Sequence, residues 1–246
     1  MIDFKGKTIL VTGAGSGIGR ETSICLSKLG AKLVLIDLNE ENLNDILSEI
    51  IGQVSIKAID LCDFEALPSI VEDISESVGM IDGLVHCAGI SSRKPLNVLN
   101  PKGFSKVMDI NFYAFEELVR LFMKKGRFSN GGSIVVMSSI SAIRGYKAKT
   151  EYCVSKAAVD AFVRCMANEL AAKGIRINSV MAAEVLTPMA LKAKELNSSL
   201  GVSEFNAPLG PTHPYEVANT IAFLLSDATK TITGTSLIID GGATII

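Results

Sequence analysis

The run Thr8-Ile9-Leu10-Val11-Thr12 passes directly into Gly13-Ala14-Gly15-Ser16-Gly17-Ile18-Gly19, and a helical pattern follows without a break. A strand that ends in spaced glycines and turns at once into a helix is the opening of a βαβ unit, whose next strand must lie parallel to the first. The rest of the chain repeats that alternation. Strands are expected near 7–12, 32–36, 54–59, 82–87, 132–138, 175–181 and 236–239, and helices near 17–29, 40–51, 64–77, 102–125, 151–173 and 214–226. Stretches such as Leu33-Val34-Leu35-Ile36 are continuously apolar, as strands covered on both faces should be. The predicted fold class is therefore α/β, a doubly wound parallel sheet of seven strands with helices on both faces.

Two stretches interrupt the rhythm. Gly126 to Gly132 reads as a turn before the fifth strand. The segment near 187–214 carries Pro188, Pro208, Pro211 and Pro214 with little periodicity, which predicts either a binding loop over a site or a surface excursion with a short helix around 189–197.

Charge and cysteine usage narrow the function classes. A formal net charge of −2 leaves no electrostatic footprint for nucleic acid or an anionic membrane. The 48% hydrophobic content comes from short stretches, none near the ~18 residues of a membrane span. No charged leader with an apolar core opens the chain. Cys25, Cys62, Cys87, Cys153 and Cys165 are odd in number, scattered and without CxxC spacing, which predicts reduced thiols in a cytoplasmic protein and neither disulfides nor zinc. With only His86 and His213 available, no metal is expected.

The glycine loop has a specific chemistry. Gly13 permits the tight turn, Gly17 lets backbone approach a pyrophosphate, and Gly19 lets helix and strand pack closely. The helix N-terminus then offers free amides to an anion, with Ser16 and Ile18 in the same loop. Asp37 ends the second strand about 20 residues on, where a carboxylate accepts from a ribose 2′-hydroxyl and repels a 2′-phosphate. No Arg or Lys lies inside the loop or beside Asp37 at Leu38, so NAD is expected over NADP. A capping or solvated strand-end acid is the plain alternative for Asp37.

Tyr152 and Lys156 stand four residues apart, on one face of a helix, and Ser139 lies thirteen residues upstream. A free tyrosine has a pKa of about 10, and bringing it to roughly 7 takes about 4 kcal/mol of preference for the phenolate. One ammonium about 4 Å away supplies on the order of 4 kcal/mol at an effective dielectric near 20. The pair alone could be an accident of an exposed helix; beside the glycine loop it predicts a proton-transfer site.

Together these residues resemble the short-chain dehydrogenase/reductase family, over essentially the whole chain. Gly13, Gly17 and Gly19 fit its TGxxxGxG motif, and Asp60-Leu61 its adenine-contacting pair. Asn111, Asn178, Thr187, Pro208-Leu209-Gly210 and Asp240-Gly241-Gly242 also fall in place. The resemblance implies one Rossmann-like domain over 1–246 and a nicotinamide cofactor. It implies a catalytic set of Ser139, Tyr152, Lys156 and Asn111: Ser139 holding the substrate oxygen, Tyr152 exchanging its proton, Lys156 lowering the tyrosine pKa and binding the nicotinamide ribose. Asn111 would hold, through its backbone carbonyl, a water leading to Lys156. Ala88 and Gly89 would lie against the cofactor, with Val185 and Thr187 at its nicotinamide end.

Two motifs depart from the family's pattern. His86-Cys87 replaces the usual Asn-Asn before Ala88-Gly89, which predicts a structural imidazole and a buried small thiol. Ala182-Ala183 replaces Pro-Gly after the sixth strand, where glycine could take a positive φ that alanine resists, so a different loop path to Thr187 is expected. Glu184 there either selects a polar or cationic group or faces solvent.

Adjacency to the catalytic set nominates Ile90, Ser91, Arg93, Ile140, Ser141, Tyr146 and Glu184 around a small-molecule substrate, polar and possibly sugar-like or acyl. The expected activity is hydride transfer between NAD(H) and a secondary alcohol or ketone. The alternatives are a non-catalytic nucleotide-binding scaffold or sensor and an NADPH-type 3-oxoacyl-carrier-protein reductase, the latter opposed by Asp37. Helices 102–125 and 151–173 and the tail from Gly241 resemble the family's subunit interfaces and imply a homo-oligomer, a tetramer or a dimer.

Overall fold

The computed structural model describes residues 2–191 and 207–245. Seven strands, β1 (Thr8–Thr12), β2 (Lys32–Asp37), β3 (Val54–Ala58), β4 (Ile81–His86), β5 (Phe128–Ser139), β6 (Arg176–Ala182) and β7 (Ser236–Ile239), form one sheet in the order β3-β2-β1-β4-β5-β6-β7. Every neighbouring pair is parallel. The connection after β3 returns past β1 to β4, so the winding reverses between β1 and β4. In open α/β sheets that point opens a crevice at the carboxyl ends of the strands.

Helices cover both faces. On one lie α3 (Leu67–Val78), α5 (Ala114–Phe122) and α6 (Thr150–Leu170), which bury Val71, Ile74, Phe115, Phe122, Val159 and Val163 against Leu84 and Val136. On the other lie α1 (Gly17–Lys28), α2 (Glu40–Ile46) and α7 (Pro214–Leu225), which bury Leu26, Leu43, Ile46, Val217 and Ile221 against Val11 and Val85. Adjacent residues of a strand thus feed opposite cores, and all five residues of β1 and all seven of β6 are buried.

The elements differ from expectation where local chemistry intervenes. The helix expected over 102–125 is three pieces: α4 (Pro101–Met108), a π-helical turn at Asp109–Tyr113, and α5. Asn100 caps α4 by accepting from Gly103 N at 2.9 Å. The expected helix at 40–51 ends at Ile46 and tightens into a 3₁₀ turn, and α3 starts at Leu67, with Pro68 in its first turn, rather than at 64. Strand β5 takes in most of the turn expected at 126–132, because Phe128 pairs with Ile81 across a register shift. Of the segment near 187–214, residues 188–191 are helical, and 192–206, with most of the short helix expected there, lies outside the described residues.

Candidate active site

The glycine loop closes on itself as its spacing requires. Gly13 and Gly17 have φ of 64° and 52°. A Cβ on Gly19 would stand 2.1 Å from the Gly13 carbonyl oxygen, and one on Gly13 would stand 2.8 Å from Ala88 N, so β1, α1 and β4 can meet only through glycine. Exposed Ser16 precedes α1, its hydroxyl unused as a cap; half-buried Ile18 follows Gly17, and no acid occupies the first turn. The helix end is left suited to an anion. Asp37 lies alongside, its two oxygens accepting from Gly15 N at 2.9 Å and Asn39 N at 3.0 Å. Arg20, the first cation after the loop, is paired with Glu49.

At the next strand ends, exposed Asp60 accepts from Cys62 N at 2.8 Å while Leu61 is packed in the core. Ala88 N donates to Thr12 Oγ1 at 3.4 Å. A side chain on Gly89 would meet Asn111 Oδ1 at 3.0 Å and Lys156 Nζ at 3.7 Å. The donor set fits a dinucleotide: spaced glycines under an open helix end for the pyrophosphate, Asp37 and Asp60 for the adenosine half, small residues where the chain must pass Lys156.

The Ala182-Ala183 loop keeps its reach. Strand β6 runs through Ala182, Ala183 N donates to Ile239 O at 3.2 Å, and neither alanine has a positive φ. Buried Val185 bridges Thr212, and the Thr187 side chain comes to 3.2 Å from where a Gly17 Cβ would project. The loop reaches the glycine turn without proline or glycine at positions 182 and 183, turning tightly where Thr187 N donates to Val185 O at 2.7 Å.

Tyr152 and Lys156 share a face of α6, and Ser139 ends the neighbouring β5. Lys156 is 4% exposed and its ammonium donates to the Met137 carbonyl at 2.8 Å, 5.9 Å from the centre of the Tyr152 ring. Burial brings its pKa down to about 8, opposed by Asp160. Burial likewise raises the Tyr152 phenol above its ordinary value, opposed by the Ser139 hydroxyl, which favours the phenolate. Sequence reasoning took an ammonium about 4 Å off as nearly sufficient to depress the phenol. Here the lysine ammonium is held on a backbone carbonyl and desolvation outweighs the Ser139 hydroxyl, so the phenol is favoured over the phenolate.

Asn111 explains the broken helix. It sits in the π-helical turn, fully buried, its Oδ1 accepting from Ile90 N at 2.8 Å. Its Nδ2 donates to Ile90 O at 3.0 Å and Ser155 Oγ at 2.9 Å. The side chain is committed to pinning the strand-four loop to α6, which leaves its backbone carbonyl for any role toward Lys156. Single π-helical turns of this kind recur at functional sites.

Asp160 was missed. It continues the series Tyr152, Lys156, Asp160 by one more turn, is 3% exposed, and accepts from Ser138 Oγ at 2.8 Å, Ser179 Oγ at 2.6 Å and Ser236 Oγ at 3.2 Å. An acid four residues beyond the lysine on an otherwise apolar face was the available signal. His86 is fully buried, bonded through Nδ1 to Thr12 Oγ1 at 2.9 Å and packed on Phe115; burial and Lys156 bring its pKa to about 3. Burial pushes the Cys87 thiol up to about 12. Neither is available for acid–base work near neutrality.

Of the substrate-side residues, Ser141 is buried and its amide donates to Ser139 Oγ at 3.1 Å, orienting that hydroxyl. Arg93 donates to Lys147 O at 3.2 Å, and half-buried Glu184 lies where its charge favours the protonated form of Lys149.

A Rossmann-like crevice with buried Ser139 and Lys156 and half-buried Tyr152 at its mouth defines a dinucleotide oxidoreductase. A family model described as enoyl-(acyl carrier protein) reductase matches residues 13–244. The chain is 34% identical to a 3-oxoacyl-[acyl-carrier-protein] reductase of Thermotoga maritima, over 98% of this chain and 99% of that one. It is 34% identical to an L-xylulose reductase of Mus musculus, over 96% of each. Among solved structures, a short-chain dehydrogenase/reductase (glucose/ribitol dehydrogenase) of Brucella melitensis superposes with a TM-score of 0.90 at 28% identity, covering 98% of each chain. A levodione reductase superposes at 0.88 with 30% identity, covering 98% of this chain and 99% of that one. The chain belongs to the short-chain dehydrogenase/reductase family.

Proposed function

We propose that the protein transfers hydride between NAD(H) and a secondary alcohol or ketone. The observation that carries this reading is the placement of Tyr152 and Lys156 on one face of α6, beside Ser139 at the mouth of the crevice. Relatives named as reductases of oxoacyl and L-xylulose substrates support the ketone chemistry. When bound, the dinucleotide supplies or accepts the hydride. In the reducing direction the Ser139 hydroxyl orients the carbonyl oxygen, and Tyr152 donates its proton as negative charge develops there. The Lys156 ammonium, kept on the Met137 carbonyl, stabilises the phenolate left behind.

Asp37 supports NAD over NADP. A 2′-phosphate beside its carboxylate meets repulsion of about 3 kcal/mol at moderate effective dielectric, or roughly 10²-fold in affinity. Titration of NADH and NADPH by nicotinamide fluorescence should give that ratio, and Asp37→Ser should erase most of it. Equal or tighter NADPH binding by the wild type would remove the NAD reading.

We place the protein in the cytoplasm on its scattered thiols and read it as a homo-oligomer, tetramer or dimer. Ile238 and Ile245, 43% and 82% exposed at β7 and the tail, support a covered face there. Sedimentation at micromolar concentration should give a species larger than one chain, and a monomer would contradict it.

A further inference from the structure

Beside Tyr152 stands a second lysine that the hydride-transfer reading does not use. Lys149 is the last residue before α6, and its ammonium lies 5.8 Å from the centre of the Tyr152 ring and 5.3 Å from that of Tyr146. Among the described residues it makes no ion pair within 4 Å and no side-chain hydrogen bond. Arg93 is close enough that its charge, after burial, lowers the basicity of Lys149; Glu184 and Cys153 act the other way. Arg93 is itself without a carboxylate partner among the described residues, its guanidinium spent on the Lys147 carbonyl at 3.2 Å.

Two neighbouring cations with one carboxylate, Glu184, acting on Lys149 leave an excess positive charge, which nothing in the packing would gather spontaneously. The backbone nevertheless enforces the arrangement. Lys94 N donates to Ala148 O at 2.7 Å, and Lys94 and Ser92 both bond to Glu151, which latches the loop after β4 onto the start of α6. Ala148, immediately before Lys149, has φ of +62° and is the one non-glycine with a positive φ among the described residues. A left-handed alanine is strained, and strain of this kind collects where a side chain must be aimed. The tyrosine phenols complete the surroundings: Tyr146 Oη is buried and has no hydrogen-bond partner among the described residues.

We propose that Lys149, together with Arg93, is an anion subsite next to the reacting carbon, and that the substrate is a short oxo acid and its hydroxy acid. The carboxylate sits on the Lys149 ammonium while the ketone oxygen meets Ser139 and Tyr152. The Glu184 carboxylate, whose charge acts on Lys149, keeps the pocket from holding two anions. This rests on the hydride-transfer reading and narrows its substrate class. The transfer balances as any ketone reduction does: hydride from NADH to the carbonyl carbon, proton from Tyr152 to the oxygen, the carboxylate unchanged.

The test is a matched series of short 2-oxo and 3-oxo acids and their methyl esters, assayed by NADH oxidation. Charge-assisted hydrogen bonding predicts kcat/KM at least about 100-fold higher for the best acid than for its ester, carried mostly by KM. Lys149→Met should collapse that ratio toward one, and Lys149→Arg should keep it within about 10-fold of wild type. A wild-type ratio near one overturns the proposal. So does a ratio unchanged in Lys149→Met, even if both rates fall, because the lysine would then act on Tyr152. Ester or neutral-ketone turnover that depends on Tyr152, with acids ignored, would sink the anion subsite and leave hydride transfer standing. Where no substrate turns over, calorimetric titration of the NADH complex decides: failure of every acid to bind at about 10 mM overturns the proposal, and binding lost in Lys149→Met supports it.

Discussion

Tyr152→Phe is expected to lower kcat/KM for ketone reduction by about 10³-fold while leaving NADH affinity within about threefold of wild type. The substitution removes one oxygen and keeps the ring that packs beside Lys149 and Lys156. What disappears is the acid that meets the developing alkoxide, a contribution of about 4 kcal/mol to the barrier for a loss of that size. Other acids near the site are poor substitutes: burial keeps His86 neutral with a pKa near 3 and Cys87 protonated with a pKa near 12. Stopped-flow reduction at saturating NADH separates this loss from binding. A variant with more than a tenth of wild-type turnover would assign the proton to another group.

Lys156→Met should be the second large effect, with a loss of about 10²-fold in turnover at saturating dinucleotide and weaker dinucleotide binding besides. An ammonium within about 4 to 6 Å of a phenolate stabilises it by about 3 to 4 kcal/mol at an effective dielectric near 20. The direction with pH follows from the shift in Lys156 itself. Its pKa is lowered to about 8, so the ammonium is fully present below that pH and is lost as pH rises through it. Wild-type kcat/KM, which reports the substrate-free enzyme, should therefore fall above about pH 8, and Lys156→Met should lack that alkaline limb. Asp160, bound by Ser138, Ser179 and Ser236, resists the loss by favouring the charged lysine. An alkaline limb that survives in Lys156→Met would belong to a different group.

Most of the sheet was legible because its strands are continuous apolar runs bounded by turn residues, and burial on both faces leaves such runs one place to go. The glycine loop was legible for a steric reason: the 2.1 Å approach to Gly13 O forbids a side chain at Gly19. The break in the helix at Asp109–Tyr113 was not, since a π-helical turn has the same apolar periodicity as its flanks until Asn111 is seen bonded to Ile90 and Ser155. The Ala182-Ala183 loop was misjudged in difficulty because the sequence cannot show that its φ angles stay negative. The direction of the Tyr152 shift was the clearest difference. Helical spacing puts two residues on one face, but the long lysine side chain went to the Met137 carbonyl, and desolvation, invisible in spacing, decided the sign.

Tyrosinate absorbance of the NAD+ complex, titrated against pH in wild type and in Tyr152→Phe, isolates one phenol from the other three of the chain's four tyrosines. A difference signal that ionises at least one unit below about 10, and moves upward in Lys156→Met, is what a lysine-assisted proton donor requires. A Tyr152 that still ionises at 10 or above with the oxidised dinucleotide bound would contradict it.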